Sequence, residues 1–348
     1  MEPREYLPAY LERVYRRNHP DLTPSALELL HDDVSQRPEK YATEAHAQAY
    51  VAYAHAHEHL MSELYRLEDI PDDEEFERER GRLFDETRLA LFKIAETDRL
   101  CIDARLVGLM LTDIPLDSCL GELMKLEKEA AGYLSGSVPG FDMEAEHYWA
   151  CSALDAEHTA ASLTLSEPIM IGWLHTLEAI SQLSLASARY RAAISYAQRA
   201  LRAEGYRTRA VGTELLALAR LEDEDGFFEL VRSYTDPQSE RNLLEDSPWY
   251  LLARTLLLYK TGKRRPAKRA LRDFVSRCEG AAFFLLNPTY LAPYLPVRPA
   301  PRNSWDLAHQ AIWEADAIIV DTPDFAAWAE SVDGVTDLSE AFARRNGF

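Results

Sequence analysis

The amino-acid sequence predicts an all-α protein. Alanine, leucine, glutamate and arginine, which favour helix, dominate the 348 residues, and only 14 residues are glycine. Alternating runs of β-branched and polar residues, the pattern typical of half-buried strands, are missing from the sequence. Apolar residues recur instead at helical spacing along most of the chain. These three observations predict helices throughout and no β-sheet.

The clearest helical pattern is a pair of amphipathic helices within residues 173–205. Leu177, Ile180 and Ser181 fall on one face of the first predicted helix. The chain then breaks at Ala188-Arg189. The stripe of the second helix consists of Tyr190, Ala193, Ala197 and Ala200. Because several of these side chains are small, the two backbones are expected to approach closely, and the pair needs neighbours to bury its apolar face.

Weaker copies of this pair are found when Ala193 is used as the reference position of the second helix. Downstream, Ala267 takes this position after a turn at Gly262, and Phe228 takes it in a copy between the two. Upstream, Leu120 takes it, with a first helix that contains Ala104 and Gly108. A further, irregular helix is expected near residues 143–165.

This alternation of large and small residues resembles the tetratricopeptide repeat, a helix–turn–helix unit of about 34 residues. The resemblance covers roughly residues 100–290 and implies an α-α superhelix, in which stacked helix pairs curve around a concave surface. The copies are degenerate. Gly205 stands where the family has a closing proline, and Ser184 replaces the aromatic residue of the first helix. A general α-helical bundle is the alternative.

Three regions are expected along the chain. Residues 1–98 form an N-terminal helical region, residues 99–286 the tetratricopeptide-like repeats, and residues 287–348 a proline-rich connector with C-terminal helices. In the first region we predict short helices over residues 4–17 and 24–33, the second started by Thr23-Pro24. A long helix over residues 39–66 and another from about Glu74 follow.

The C-terminal region begins with an extended connector, because five prolines lie between Pro288 and Pro301. Its tyrosines and leucines are too apolar for a free linker, so we expect them to lie along the solenoid or to fill its groove. Ser304 is predicted to cap a helix that runs through Ile318. Another helix is predicted to start at residues 322–324.

The resemblance also implies which residues bind a partner, since the first helix of each pair lines the concave surface in this family. Those residues are His175, Glu178 and Gln182 in one pair and Trp249, Leu252, Leu256 and Tyr259 in the last. The apolar end suits an apolar or amphipathic peptide. The lysine-and-asparagine clamp of chaperone-binding members has no match at these positions. Trp249 and Tyr259 are equally compatible with a place in the core between repeats.

One helix carries four of the ten histidines, His46, His55, His57 and His59. His55 and His59 are four residues apart and share a face, a spacing that can bind zinc or another transition metal. Glu58 and Glu63 are near enough in sequence to assist. The HExxH order of metalloproteases is absent. The alternative is a helix face on which histidine is simply a tolerated polar residue.

The charge and the cysteine content of the sequence disfavour some classes of function. The net charge of −20 disfavours nucleic-acid binding. A basic segment at residues 260–272 either docks an acidic partner or a phosphate, or is neutralised by the acidic residues 222–225. The four cysteines lie far apart and are expected to be buried free thiols. No signal peptide or membrane span is recognised, so we expect a cytoplasmic protein without membrane association.

No phosphate-binding loop, nucleophile elbow or dinucleotide motif is present, and no cofactor is expected. The sequence thus favours a non-catalytic protein-interaction scaffold that binds a peptide or protein segment in a concave helical groove. The alternatives are a metal-binding helical protein that uses His55 and His59, or an enzyme without a recognised motif. The partner and the oligomeric state are left open.

Overall fold

The computed structural model describes residues 2–67, 70, 72–138, 141–145, 167–203, 209–236, 238, 241–291 and 301–348. These residues form seventeen α-helices and no β-strand, so the all-α prediction is confirmed for the part of the chain described. Within the same ranges, no helix combines the length and the apolar character needed to cross a bilayer. The irregular helix expected near residues 143–165 lies almost entirely outside the described residues.

The chain forms two compact units, each with its own helices. The first comprises Met1–Ile180, Arg199–Thr208 and Val297–Pro299, and the second comprises Ser181–Gln198, Arg209–Pro296 and Ala300–Phe348. The boundaries expected at residues 98 and 286 both fall inside a unit.

The described part of the first unit contains seven whole helices and most of an eighth. They are α1 (Pro3–Asn18), α2 (Pro24–Gln36), α3 (Pro38–Tyr41), α4 (Ala45–Leu67), α5 (Asp73–Thr97), α6 (Ile102–Met110), α7 (Leu116–Ser137) and the greater part of α8 (Pro168–Ala186).

Two helix starts follow directly from side-chain capping. The Thr23 hydroxyl accepts a hydrogen bond from the backbone N–H of Ala26 at 3.3 Å, and a proline follows Thr23 at the first position of α2. The Asp72 carboxylate accepts one from the N–H of Glu75 at 2.8 Å, which starts α5. Both starts lie where the sequence predicts them.

The prediction of a single long helix over residues 39–66 is wrong, because the chain turns between α3 and α4. Tyr41 is buried, and its ring packs edge-on against Tyr15 at 5.2 Å between centroids. Its hydroxyl and the Lys40 ammonium both bond to the Asp33 carboxylate. These contacts hold the four-residue α3 against α2, so the helix ends there and a new one begins at Ala45.

The second unit contains the end of α8, helix pairs and a C-terminal group of helices. The helices after α8 are α9 (Tyr190–Leu201, whose last three residues belong to the first unit), α10 (Ala210–Leu221), α11 (Glu224–Ser233), α12 (Pro248–Lys260), α13 (Arg264–Arg277), α14 (Ala281–Leu286), α15 (Asp306–Val320), α16 (Phe325–Glu330) and α17 (Val335–Asn346). A 3₁₀ turn at Pro288–Tyr290 follows α14.

Three turns in this unit share one geometry. Each has a residue with positive φ, namely Ala188, Glu222 or Gly262, and the next helix starts two residues later. The N–H after that residue bonds back to the carbonyl five residues earlier, at 2.8, 3.1 and 2.9 Å in chain order. These are Schellman turns, which satisfy the last carbonyls of a helix. They join α8 to α9, α10 to α11 and α12 to α13.

The common turn fixes the register of the second helices. The fifth residue after each positive-φ position is fully buried, and these residues are Ala193, Phe227 and Ala267. The expectation that Phe228 takes this position is therefore wrong by one residue. Phe228 is only partly buried at the edge of the core. Two adjacent phenylalanines fit the sequence pattern equally well, and the turn geometry decides between them.

The α8–α9 pair is close because small residues meet. The Ser181 hydroxyl donates a hydrogen bond to the backbone carbonyl of Ala193 at 2.8 Å, and both residues are fully buried. A larger side chain at either position would separate the helices. This confirms the close approach expected from the sequence.

The start of α15 differs from the prediction. The Asp306 carboxylate accepts the backbone N–H groups of Arg302 and Asn303 at 2.8 and 2.9 Å. The Ser304 hydroxyl bonds instead to the Glu279 carboxylate. The expectation that Ser304 caps this helix is therefore wrong, because its hydroxyl is bonded to Glu279 and the N-cap residue is Trp305.

Three cysteines, Cys101, Cys119 and Cys278, are buried free thiols as expected, and Cys151 lies outside the described residues. Burial raises the pKa of the Cys278 thiol to about 12. Such a thiol stays protonated at neutral pH, so it is a poor nucleophile and metal ligand.

Candidate functional site

The four apolar residues expected on α12 all lie inside the core of the second unit. Leu252 and Leu256 are 0% exposed, and Trp249 and Tyr259 are 6% and 5% exposed. Trp249 lies directly on the backbone of α10, where a Cβ at Gly212 would come within 2.5 Å of the indole Cγ. Glycine is therefore required there for the two helices to meet.

The C-terminal helices cover this face of α12. The Trp249 indole N–H donates to a carboxylate oxygen of Glu314 on α15 at 2.6 Å. The Tyr259 hydroxyl donates to the backbone carbonyl of Pro323 at 3.0 Å. Both polar tips thus have partners, as buried tryptophan and tyrosine require. A segment from outside the helix pairs occupies the apolar surface that the sequence assigns to a partner.

Aromatic rings complete the contact around Tyr259. Its ring packs against Phe325 and Trp328 of α16, with centroids 5.1 and 4.7 Å away. The Arg264 guanidinium lies 3.7 Å from the centroid of the Tyr259 ring. Such cation–π contacts and ring pairs each stabilise the packing by roughly 0.5–1.5 kcal/mol.

The three residues expected on α8 lie in different surroundings. His175 uses its Nδ1 in a 2.7 Å contact with the Asp103 carboxylate. Glu178 and Gln182, one and two turns further along α8, are half-buried. The binding role of all seven groove residues stays a prediction, whereas their burial is defined.

Asp103 is the centre of a buried polar cluster in the first unit. It is 1% exposed, and its second oxygen accepts the Tyr6 hydroxyl at 2.8 Å. Burial raises the pKa of the Asp103 carboxyl, but His175 and Tyr6 outweigh that effect and hold it below its ordinary value. A carboxylate that orients a histidine is also found in acid–base sites. Here it links α1, α6 and α8.

His57 belongs to the same region of the first unit. Its Nδ1 lies 3.4 Å from the Glu2 carboxylate. Burial lowers the pKa of the His57 ring, because the charged form is poorly solvated there. The sequence could not reveal this cluster, since its members lie up to about 170 residues apart and share no motif.

The proposed metal ligands point to separate partners. His55 bonds through Nε2 to the Glu39 carboxylate at 2.8 Å. His59 lines a small cleft with acidic residues of α5, including Glu79 and Glu86. Among the described residues, no three histidine, cysteine, aspartate or glutamate side chains are grouped so that they could hold a metal ion. Within that part of the chain, His55 and His59 have no third ligand.

The basic segment at residues 260–272 is partly neutralised, in the way that one of the two sequence hypotheses expects. Lys260 lies 3.3 Å from the Glu222 carboxylate, and Lys263 pairs with Glu224. These are the acidic residues of the preceding turn, brought alongside because α10–α11 and α12–α13 are neighbours.

Other cations of this segment have different partners. Lys268 and Arg272 share the Asp333 carboxylate at 3.0 and 2.8 Å. Arg269 is exposed and forms no ion pair with any residue that the structure describes. A residual positive charge is thus left on one face of α13.

Comparison of the chain with protein-family models, with curated proteins and with solved structures returned no match.

Proposed function

We propose that this protein is a non-catalytic protein-interaction scaffold, with stacked tetratricopeptide-like helix pairs in its second unit. The proposal rests on the contacts that the apolar face of α12 makes. Its apolar face holds a segment from elsewhere in the chain, through Trp249–Glu314 and Tyr259–Pro323 hydrogen bonds and aromatic packing. A surface of this kind suits capture of a helix or peptide.

The repeated turn supports the repeat assignment. Positive-φ residues recur after 34 and 40 residues, and each is followed by the same back-bonded turn and the same buried position. Recurrence at about 34 residues is the period of tetratricopeptide units, and the longer second interval accommodates the Asp236–Asp246 connection. The intramolecular segment leaves the outer faces of α11 and α13 for other proteins. A cytoplasmic location belongs to the same proposal.

Cross-linking of the tagged full-length protein in extracts of its source organism tests this function. Mass spectrometry should identify one protein at constant stoichiometry, with cross-links confined to a defined surface of the chain. An unrelated all-α protein of similar net charge serves as the control bait. Recovery of the protein alone, or with only the background of the control bait, would contradict the scaffold function.

A further inference from the structure

A cleft between α12 and α13 has a positive lining. It measures about 480 Å³ and is bounded by Arg254, Pro266, Arg269, Arg272 and Asp273. Three arginines therefore line one space in a chain whose net charge is −20. All five residues lie in the second unit, on helices joined by a single turn.

The local carboxylates do not balance these cations. Arg254 reaches Asp273 only at 3.9 Å, the outer limit of an ion pair. Arg272 shares Asp333 with Lys268, so one carboxylate serves two cations. Arg269 has no acidic partner among the described residues. Four cations thus face two carboxylates, and most of the N–H donors of the arginines are still available.

We propose that this cleft binds an acidic segment of a partner protein through Arg254, Arg269 and Arg272. Guanidinium groups bind carboxylates in a planar, two-point geometry, which a row of glutamate or aspartate side chains supplies. Pro266 offers a short apolar wall for the methylene groups of those side chains. This inference rests on the scaffold function proposed above and names the surface and the chemistry of the partner.

The extent of the positive surface favours a short peptide over nucleic acid. Asp246 pairs with Arg277, and Asp333 pairs with Lys268 and Arg272, so acidic residues interrupt the cations of this part of the chain. A nucleic acid needs a longer row of cations for its phosphates. Distant acidic residues oppose an acidic peptide only weakly, since charges are screened beyond about 8 Å at physiological salt.

Fluorescence anisotropy with a fluorescein-labelled hexaglutamate peptide and the full-length protein tests the proposal. We expect saturable binding that weakens as salt is added, and a loss of at least about tenfold in affinity for Arg269→Glu. Arg191→Glu, an exposed arginine of α9 with the same charge change, is the matched control and should bind like the unmodified protein. Both variants should keep the melting temperature, because neither arginine has an ion pair with a residue that the structure describes.

Three results would overturn the acidic-segment site. These are no loss of affinity in either variant, an equal loss in both, or inorganic phosphate that binds as tightly as the peptide by calorimetry. The last result would indicate a site for a single small anion. If cross-linking finds a partner whose capture is unaffected by Arg269→Glu, the cleft proposal fails while the scaffold function stands. If cross-linking finds no partner, the scaffold function fails whatever the peptide does.

Discussion

At the scale of single residues, two buried carboxylates behave in opposite ways. Asp103 has a partner for each oxygen, and its pKa is held below the ordinary value. Glu214 on α10 is 3% exposed, and only one of its oxygens accepts a hydrogen bond, from Gln198 at 2.7 Å. The other oxygen has no partner in the described part of the chain. Burial raises the pKa of the Glu214 carboxyl, and the Gln198 bond offsets this only in part.

Glu214→Gln is expected to stabilise the protein at neutral pH. The folded protein disfavours the ionised carboxylate, so wild-type stability falls as the pH rises from the unfolded pKa through the folded pKa and stays lower above it. Glutamine avoids this charge and keeps an oxygen for Gln198. We expect a gain of about 1 kcal/mol in unfolding free energy at pH 7, measured by urea denaturation.

The same measurement at lower pH checks the cause. The difference between wild type and Glu214→Gln should shrink toward about pH 4, where the wild-type carboxyl is protonated in the folded protein. Glu229→Gln, on the exposed side of α11, should change the stability by less than about 0.5 kcal/mol at either pH. A gain that does not depend on pH would show that burial of charge is not the reason.

At the scale of the helix pair, the three shared turns make a sharp comparison possible. Gly262 adopts its positive φ at no steric cost, whereas Ala188 adopts a φ of 57° with a Cβ in the way. Two of the three turns have alanine or glutamate, and not glycine, at the position with positive φ. The backbone conformation therefore comes from the packing of the two helices and not from local preference alone.

Glycine substitutions should act in opposite directions within one pair. Ala188→Gly relieves the left-handed conformation and should raise the unfolding free energy by about 0.5 kcal/mol. Ala192→Gly, inside α9, should lower it by about 1 kcal/mol, since glycine is a poor helix former. Thermal denaturation of both variants at one pH measures the contrast. A loss of stability in Ala188→Gly would mean that the turn is not strained.

The sequence reveals these pairs better than it reveals their surroundings. Small residues at Ser181, Ala193 and Ala267 and the turn at Gly262 predict where helices meet, because close packing excludes larger side chains. Helical spacing cannot separate Phe227 from Phe228, since both fit an apolar stripe. The break after Tyr41 is likewise invisible to periodicity, because contacts with Tyr15 and Asp33, which lie on other helices, cause it.

At the scale of the whole molecule, the second unit has one core that the helix pairs share with the C-terminal helices. Trp249, Leu256 and Tyr259 of α12 belong to the same buried cluster as Ala311 and Phe325. The sequence shows that these α12 residues are apolar, but it cannot show which segment covers them. Contacts between residues 60 or more positions apart leave no local pattern. This is why a groove and a core are equally compatible with the sequence of α12.

A charged side chain in this shared core tests whether the helix pairs and the C-terminal helices lose their protection together. Ala311 of α15 is fully buried, so Ala311→Asp should lower the unfolding free energy by about 3 kcal/mol or more. Hydrogen exchange should then quicken in α12 as well as in α15. Val320→Asp, at an exposed position at the end of the same helix, should leave both helices protected. Faster exchange limited to α15 would show that the C-terminal helices are a separate layer.

The covering of α12 has a consequence for interaction screens that use fragments. A fragment that ends at α13 would lack Glu314, Pro323 and Phe325, and so would uncover the parts of the Trp249 and Tyr259 side chains that these residues contact. Newly exposed apolar surface attracts many proteins without selectivity. Such a bait would report partners of a surface that the C-terminal helices contact in the intact chain.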